Sequence, residues 1–459
     1  MIYPDLRSVK GLSVLALLYS LHLFSDVSQS DSLYLERLLE HALECRSDIR
    51  AQDETIEKIR QQEWVIASGL FPHVDLKGTV QKSKEDAYAE RILQANFSQV
   101  LFEPDGAIME REVARLNTKI ATFQRQDLQN RIRLDVTRNF FNYRTRLYEE
   151  AAQNALDQSS SIEYKSALRK KIIGLYSDPQ MQQAEAQFRN AKTKVFSLAN
   201  DRKAGKEHVI SSTENSLERA LAIPDTRLVL DALWKEIEHH DTETLIKQAL
   251  KYRTEFAILD AQIEQAEIRT DIARYYYLPS ISFNATTYAY HFDSGTTVLE
   301  AGLGADLLYP WTVGLSAQWS FDSFGSLHSV RSARAERMEK ILTRKRTEFE
   351  VKDAVITSHL ALQNAAESVR SGLSSLEQAR IDFFKSVKSF EVGLLSEVEF
   401  KKAKTTWERA QAELENTLNS AVNKHEELLF NAGYPPGPSQ LQHLPISPLK
   451  NPSDFDTSR

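Results

Sequence analysis

Cysteine is almost absent from this sequence: Cys45 is the only one among 459 residues. A single thiol excludes a disulfide framework or a multi-thiolate metal site within one chain. Glycine (15) and proline (13) are also scarce, and 6 of the 13 prolines fall in the last 26 residues. The body of the chain is therefore expected to be long, weakly interrupted helix. Net charge is −7, from 57 basic and 64 acidic residues that are interspersed along the chain. That balance supplies no basic footprint, which excludes nucleic acid as a partner. Beyond the N-terminus no apolar run reaches about 18 residues, so no membrane-spanning helix is expected in the body of the chain.

Catalytic constellations are missing as well. The fragment HEELL at His425 lacks the second histidine that a zinc-binding helix needs four residues on, and GLGADL at Gly302 lacks the third glycine of a dinucleotide loop. His239 and His240 sit in an acidic, polar stretch and read as solvated. The sequence gives no reason to expect an enzyme, a cofactor or a metal.

What is present begins at the N-terminus. Arg7 and Lys10 precede the apolar run Gly11 to Phe24, and small or polar residues follow from Ser25 to Ser30. This is the layout of a signal peptide over residues 1–30. No cysteine directly follows the run, so a lipid-anchored N-terminus is not expected.

The remainder is an internal duplication. LLEHALECRSDI (38–49) and LIKQALKYRTEF (245–256) lie 207 residues apart, with Ala42, Leu43 and Arg46 opposite Ala249, Leu250 and Arg253. Both helical stretches run to a proline, Pro72 or Pro279. The offset then grows to 219, which relates Phe102, Gly106, Arg115 and Gly174 to Phe321, Gly325, Arg334 and Gly393 (393 − 174). This divides the chain into a first repeat (31–222), a linker (223–242), a second repeat (243–433) and a Pro-rich tail (434–459) that reads as disordered.

After each proline the hydrophobic period becomes two. Trp311, Val313, Leu315, Ala317, Trp319 and Phe321 alternate with polar or small residues; Phe283 and Ala285, Val74, Leu76 and Val80, and Leu93, Ala95 and Phe97 do the same. These are four strands in two hairpins, about 72–102 and 279–321. Strands of about 9 to 11 residues suit a tilted membrane crossing, but a transmembrane barrel needs about eight of them. A barrel would have to be shared among several chains.

Between Ala107 and Ile172 the chain has neither proline nor glycine, and Ser326 to Val392 is interrupted only by Gly372. Each stretch would extend about 100 Å as helix. Their seams step by three and four: Phe400, Ala403, Trp407, Ala410 and Leu414 with Met181, Ala184, Phe188, Ala191 and Val195 at −219, and Leu362, Ala366, Val369, Leu373, Leu376, Phe383, Val387, Phe390 and Leu394 as the partner seam, broken only by Arg380. Such spacing predicts coiled-coil packing of neighbouring helices. Gly174 and Gly393 then mark hairpin tips, each followed by a serine and an acid able to cap the next helix.

Together these features resemble the TolC family of outer-membrane efflux proteins, over roughly residues 33–433. The most specific elements are IGL at Ile173 to Leu175, VGL at Val392 to Leu394, the two prolines, and Phe-acid-x-x-Gly at Phe102 and Phe321. The segment Ser216 to Trp234 is also similar to the inter-repeat segment of that family. The resemblance implies a mainly α fold with membrane β: a homotrimer with a 12-stranded barrel in outer membrane lipid and a helical tunnel through the periplasm. It further implies docking of a periplasmic adaptor, and through it an inner-membrane transporter, at Ile173, Gly174, Leu175, Ser177, Val392, Gly393, Leu394 and Ser396. Glu399 and Lys402 take positions near those at which some members narrow the tunnel entrance. The competing expectation is a periplasmic or extracellular coiled-coil scaffold without a pore, which the alternating strands argue against.

Overall fold

The structure, a computed structural model, describes residues 27–81, 90–103, 106–214, 241–275, 278–292, 311–319 and 324–436. Most of the expected signal peptide (1–30) and of the expected linker (223–242), Phe321, His239, His240, Gly302 and most of the expected tail lie outside these residues. The first six elements are α1 (Val27–Cys45), α2 (Ser47–Ser68), β1 (His73–Gln81), β2 (Glu90–Phe102), α3 (Ala107–Ile172) and α4 (Asp178–Thr213). The next six are α5 (Thr242–Tyr252), α6 (Thr254–Tyr275), β3 (Ser280–Phe292), β4 (Trp311–Gln318), α7 (Gly325–Glu391) and α8 (Glu397–Asn431). Helix, helix, strand, strand, helix, helix occurs twice, so the duplication is structural as well as sequential.

One feature of each repeat departs from the uninterrupted helix expected ahead of the strands. The helix breaks at Arg46 in the first repeat and at Arg253 in the second. The Arg46 Nη1 donates to the carbonyl of Ser212 at 2.9 Å, and the Arg253 Nη1 donates to that of Asn431 at 3.5 Å. The two acceptors are again 219 residues apart (431 − 212). Two residues beyond each acceptor the backbone turns left-handed, at Glu214 (φ 50°) and Gly433 (φ 85°). Glu214 compensates for this backbone cost with its carboxylate, which accepts from the Ser47 N–H (3.0 Å) and hydroxyl (2.8 Å) and satisfies the first turn of α2. Ser47-Asp48 and Thr254-Glu255, a hydroxyl followed by an acid, are the sequence signal for these helix starts.

The chain forms two packing units, and α3 and α7 contribute residues to both. One comprises Ala51–Gln126 and Thr254–Glu348 and contains the sheet. Its helical core sets Leu116 and Ile120 of α3 on Ala261 of α6, with Ile258 and Ile268 packed around them. Gln265 ties the same two helices by donating to the Val113 carbonyl (3.0 Å) and to Asn117 Oδ1 (2.6 Å). The other unit contains α1, the first residues of α2, α4, α5, α8 and the remainder of α3 and α7. In its two helical hairpins an aromatic pair stacks at the same place: Tyr164 on Phe188 at 5.4 Å, and Phe383 on Trp407 at 5.3 Å.

Helix α8 also lies along α3. Arg144 Nη2 and Glu415 Oε2 form an ion pair at 3.1 Å with side chains only 5% and 6% exposed. Asn419 donates to the Thr145 hydroxyl at 2.9 Å, and Asn423 to Asn142 at 3.4 Å. Buried polar partners of this kind penalise any sliding of one helix along the other, because a shifted register leaves charge and amide groups desolvated. The α7 seam is buried as expected at Leu362, Ala366 and Val369 but departs from a strict heptad further on. Leu373 is exposed and Gly372 sits against Leu414 and Thr417 instead, as the drift between a 3.6-residue turn and a 3.5-residue repeat allows.

Candidate functional site

Two regions of the described residues hold exposed apolar side chains on a regular backbone. The first is the sheet, whose strands follow the order β1-β2-β3-β4, each antiparallel to the next. Its register places Val74 opposite Phe97, Phe97 opposite Ala285, and Ala285 opposite Val313. On the same face Leu76 meets Ala95, and Phe283 meets Leu315. Val74, Leu76, Val80, Leu93, Trp311, Val313 and Leu315 are all exposed. Phe97 and Phe283 meet edge to face at 6.0 Å.

The opposite face is polar and bonded to itself. Asn284 donates to Ser316 (2.8 Å) and Ser282 (3.1 Å), the two serine hydroxyls share a bond of 2.7 Å, and Gln94 donates to Asn96 (2.8 Å). Period-two alternation therefore yields one apolar and one hydrophilic surface. The sheet edges are β1 and β4. At the end of β2 the register slips between Val100 and Phe102, and the chain turns into α3 at Gly106. A side chain at Gly106 would place a Cβ 2.7 Å from the Glu103 carbonyl, which gives the Phe-acid-x-x-Gly pattern its physical reason. An apolar cleft of about 280 Å³ lies here, lined by Leu70, Leu101, Phe102, Ile108, Tyr275 and Leu278 among others.

The second region is the pair of hairpin tips, which share one construction. At the first, Gly174 (φ 75°) donates to the Lys171 carbonyl at 3.0 Å and Leu175 to that of Lys170 at 2.8 Å. At the second, Gly393 (φ 73°) donates to Phe390 at 3.0 Å and Leu394 to Ser389 at 2.9 Å. Both are Schellman endings, in which a left-handed residue closes the helix. The next helix then starts on a capped serine. Ser177 N–H donates to Gln180 Oε1 at 2.9 Å; Ser396 N–H donates to Glu399 Oε2 at 3.1 Å, and the Ser396 hydroxyl bonds the same oxygen at 2.8 Å.

These hydrogen bonds from Ser396, with Lys170 assisting, hold the Glu399 carboxyl below the usual carboxylate range. The cap is thus present above the ordinary carboxylate pKa and is lost only as pH falls through the lowered value. Gln180 and Glu399 occupy equivalent positions and close the two capping boxes, in place of the acids that directly follow the serines. Lys402 is exposed one turn further along α8.

Around these rigid turns the apolar side chains face solvent. Leu175 is 69% exposed and Leu394 81%, and Ile173 and Val392 are similarly open. Leu394 thus lies outside the helical seam in which its spacing placed it, because it follows the left-handed glycine. Apart from the adjoining chain, no atom of the described residues lies within 4 Å of the position a side chain would take at Gly174 or Gly393. Positive φ, not crowding inside the chain, is what requires glycine there.

Residues 245–433 match the family model of outer membrane efflux proteins. No curated protein sequence is a significant match. Among solved structures, the Campylobacter jejuni CmeC outer membrane channel superposes with a TM-score of 0.69 at 15% identity, over 88% of this chain and 86% of its own. The Vibrio cholerae outer membrane protein VceC gives 0.67 at 14%, covering 88% and 96%. The open-state MtrE outer membrane channel of Neisseria gonorrhoeae gives 0.66 at 14%, covering 88% and 89%. The mostly helical chain with its small antiparallel four-stranded sheet shares the fold of these channels.

Proposed function

We propose that this chain is a TolC-type outer membrane efflux protein and that three copies of it join into one passive exit duct. The observation that carries this reading is a four-stranded sheet with one apolar face, one polar face and two edges. Four strands cannot close on themselves as a transmembrane barrel, whose smallest members have about eight. Because the four alternate in direction, β1 and β4 run oppositely, so β4 of one copy can pair antiparallel with β1 of the next. Three copies then supply 12 strands, with the Leu315 face toward lipid and the Asn284–Ser316 face toward the lumen. The reading has a direct test: the protein should fractionate with the outer membrane as a trimer and conduct ions in planar bilayers. A soluble monomer without conductance would overturn it.

The tips are the proposed docking surface for a periplasmic adaptor that connects the duct to an inner-membrane transporter. Ile173, Gly174, Leu175 and Ser177 present one such surface and Val392, Gly393, Leu394 and Ser396 the other. Rigid turns that hold exposed apolar side chains suit a partner helix, because little ordering entropy remains to be lost on binding. Glu399 serves first as a helix cap, with Lys402 a neighbouring exposed charge. Glu399→Gln is accordingly expected to preserve the trimer and leave single-channel conductance unchanged, since Gln180 caps the first tip by the same bond. A clear change in ion selectivity in that variant would assign the Glu399 carboxylate to the entrance instead.

A further inference from the structure

The apolar cleft at the end of β2 has no part in the duct as described above. It measures about 280 Å³, and Glu103 is the only charged residue of its lining. Three helix ends meet there: α2 is followed by Gly69 and Leu70, α3 begins just before Ile108, and α6 closes at Tyr275, whose carbonyl accepts from the Leu278 N–H at 2.9 Å. The register of β2 gives the side on which the cleft opens. Gln99 stands opposite Phe283 on the apolar face, and its amide donates to the Leu70 carbonyl at 2.9 Å, which holds the end of α2 to that side. Val100 stands opposite Ser282 in the polar row, but the slip past Leu101 sets Phe102 opposite Ile281, which pairs with Ala317 in the apolar row. A bulge thus re-aims Phe102, and the cleft continues the apolar sheet face past the end of its strands. Leu101, Phe102, Ile108 and Leu278 are exposed around it.

We infer that this cleft holds one acyl chain of a membrane phospholipid with an ammonium headgroup. The inference rests on the duct reading, in which the sheet crosses the outer membrane and the helices stand in the periplasm. A junction of helix and strand then marks the periplasmic boundary, where Tyr275 suits the interface with its apolar ring and polar hydroxyl. A cleft continuous with a lipid-facing surface is bathed by the same acyl chains, and filling it removes apolar area from water. Its volume lies just under the lower limit of about 300 Å³ for sites of drug-sized ligands, which suits a single chain. A neighbouring copy does not compete for it, because β2 and β3 are the interior strands and the copies join at the β1 and β4 edges. Glu103 decides the source of the chain. Its carboxylate repels that of a free fatty acid and attracts the ammonium of a phosphatidylethanolamine.

Native mass spectrometry tests this on the full chain reconstituted in vesicles of phosphatidylethanolamine and phosphatidylglycerol, then extracted in mild detergent. One phosphatidylethanolamine per chain should stay bound through detergent washing. Two variants act on the cleft in different ways. Ile108→Asp sets a charge in its wall at a residue 69% exposed, and an acid in the first turn of α3 is favoured by the helix dipole, so folding is preserved. Leu278→Trp keeps the wall apolar and fills the space. Both should lower the retained lipid by about tenfold or more, with trimer abundance and single-channel conductance unchanged. A conducting trimer that retains no phospholipid, or retains it equally in both variants, overturns the inference and leaves the duct reading standing. Phosphatidylglycerol, fatty acid or detergent bound in place of phosphatidylethanolamine overturns it as well. A soluble monomer without conductance overturns both.

Discussion

Leu394→Asp is expected to abolish cross-linking to the adaptor while the trimer stays at normal abundance in the outer membrane. The side chain is 81% exposed and follows the helix-ending glycine, so its replacement disturbs little within the chain. A surface change of this kind ordinarily alters stability by less than about 0.5 kcal/mol. A charge placed on an apolar contact must instead be desolvated without a partner when the complex forms. The neighbouring Gly393 permits a finer separation. Gly393→Ala and Gly393→Trp bear the same left-handed backbone cost of about 1 to 2 kcal/mol, but only tryptophan adds bulk where the structure leaves open space. If the glycine is a point of close approach, the alanine variant should keep most of its adaptor cross-linking and the tryptophan variant should lose it. Undiminished cross-linking in both Leu394→Asp and Gly393→Trp, at normal abundance, would reject docking at the tips and leave the glycine only its capping role.

Much of this architecture is legible in the sequence because its signals are periodic and occur twice. Alternation in β4 fixed which face is apolar, and the absence of proline and glycine between Ala107 and Ile172 gave α3 its full extent. The repeated Gly-Leu located both tips. Less legible were features that depend on contacts distant in the chain. The break at Arg46 is stabilised by the carbonyl of Ser212 and the carboxylate of Glu214, 166 and 167 residues away from Arg46 and Ser47. The Arg144–Glu415 pair joins a helix of one repeat to a helix of the other, and no local pattern marks either residue as buried. Exposure at Phe196 and burial at the equivalent Glu415 even invert what hydrophobicity alone would assign. Duplication is visible in a sequence, but which copy of a repeated surface is covered within the chain is decided only by packing.

The strand face makes the sharpest contrast between two adjacent residues. Leu315 and Ser316 lie mid-strand in β4 at nearly the same depth, on opposite faces, with Leu315 opposite Phe283 and Ser316 bonded to Ser282 and Asn284. In a barrel wall Leu315→Arg places a charge in lipid at a cost of about 2 to 4 kcal/mol near the bilayer midplane. Ser316→Arg gives up exposed polar contacts whose net worth is about 0.5 to 1.5 kcal/mol each, and its charge projects into water. The first variant should fail to reach the trimeric, membrane-inserted form, whereas the second should assemble and shift single-channel conductance toward anions. The shift follows from three added positive charges facing one lumen. If the sheet instead packed its apolar face on protein and never met lipid, Leu315→Arg would still be damaging but Ser316→Arg could not alter an ionic current. Normal assembly of both variants with identical conductance would remove the sheet from the barrel wall, and with it the reason for three chains to meet there.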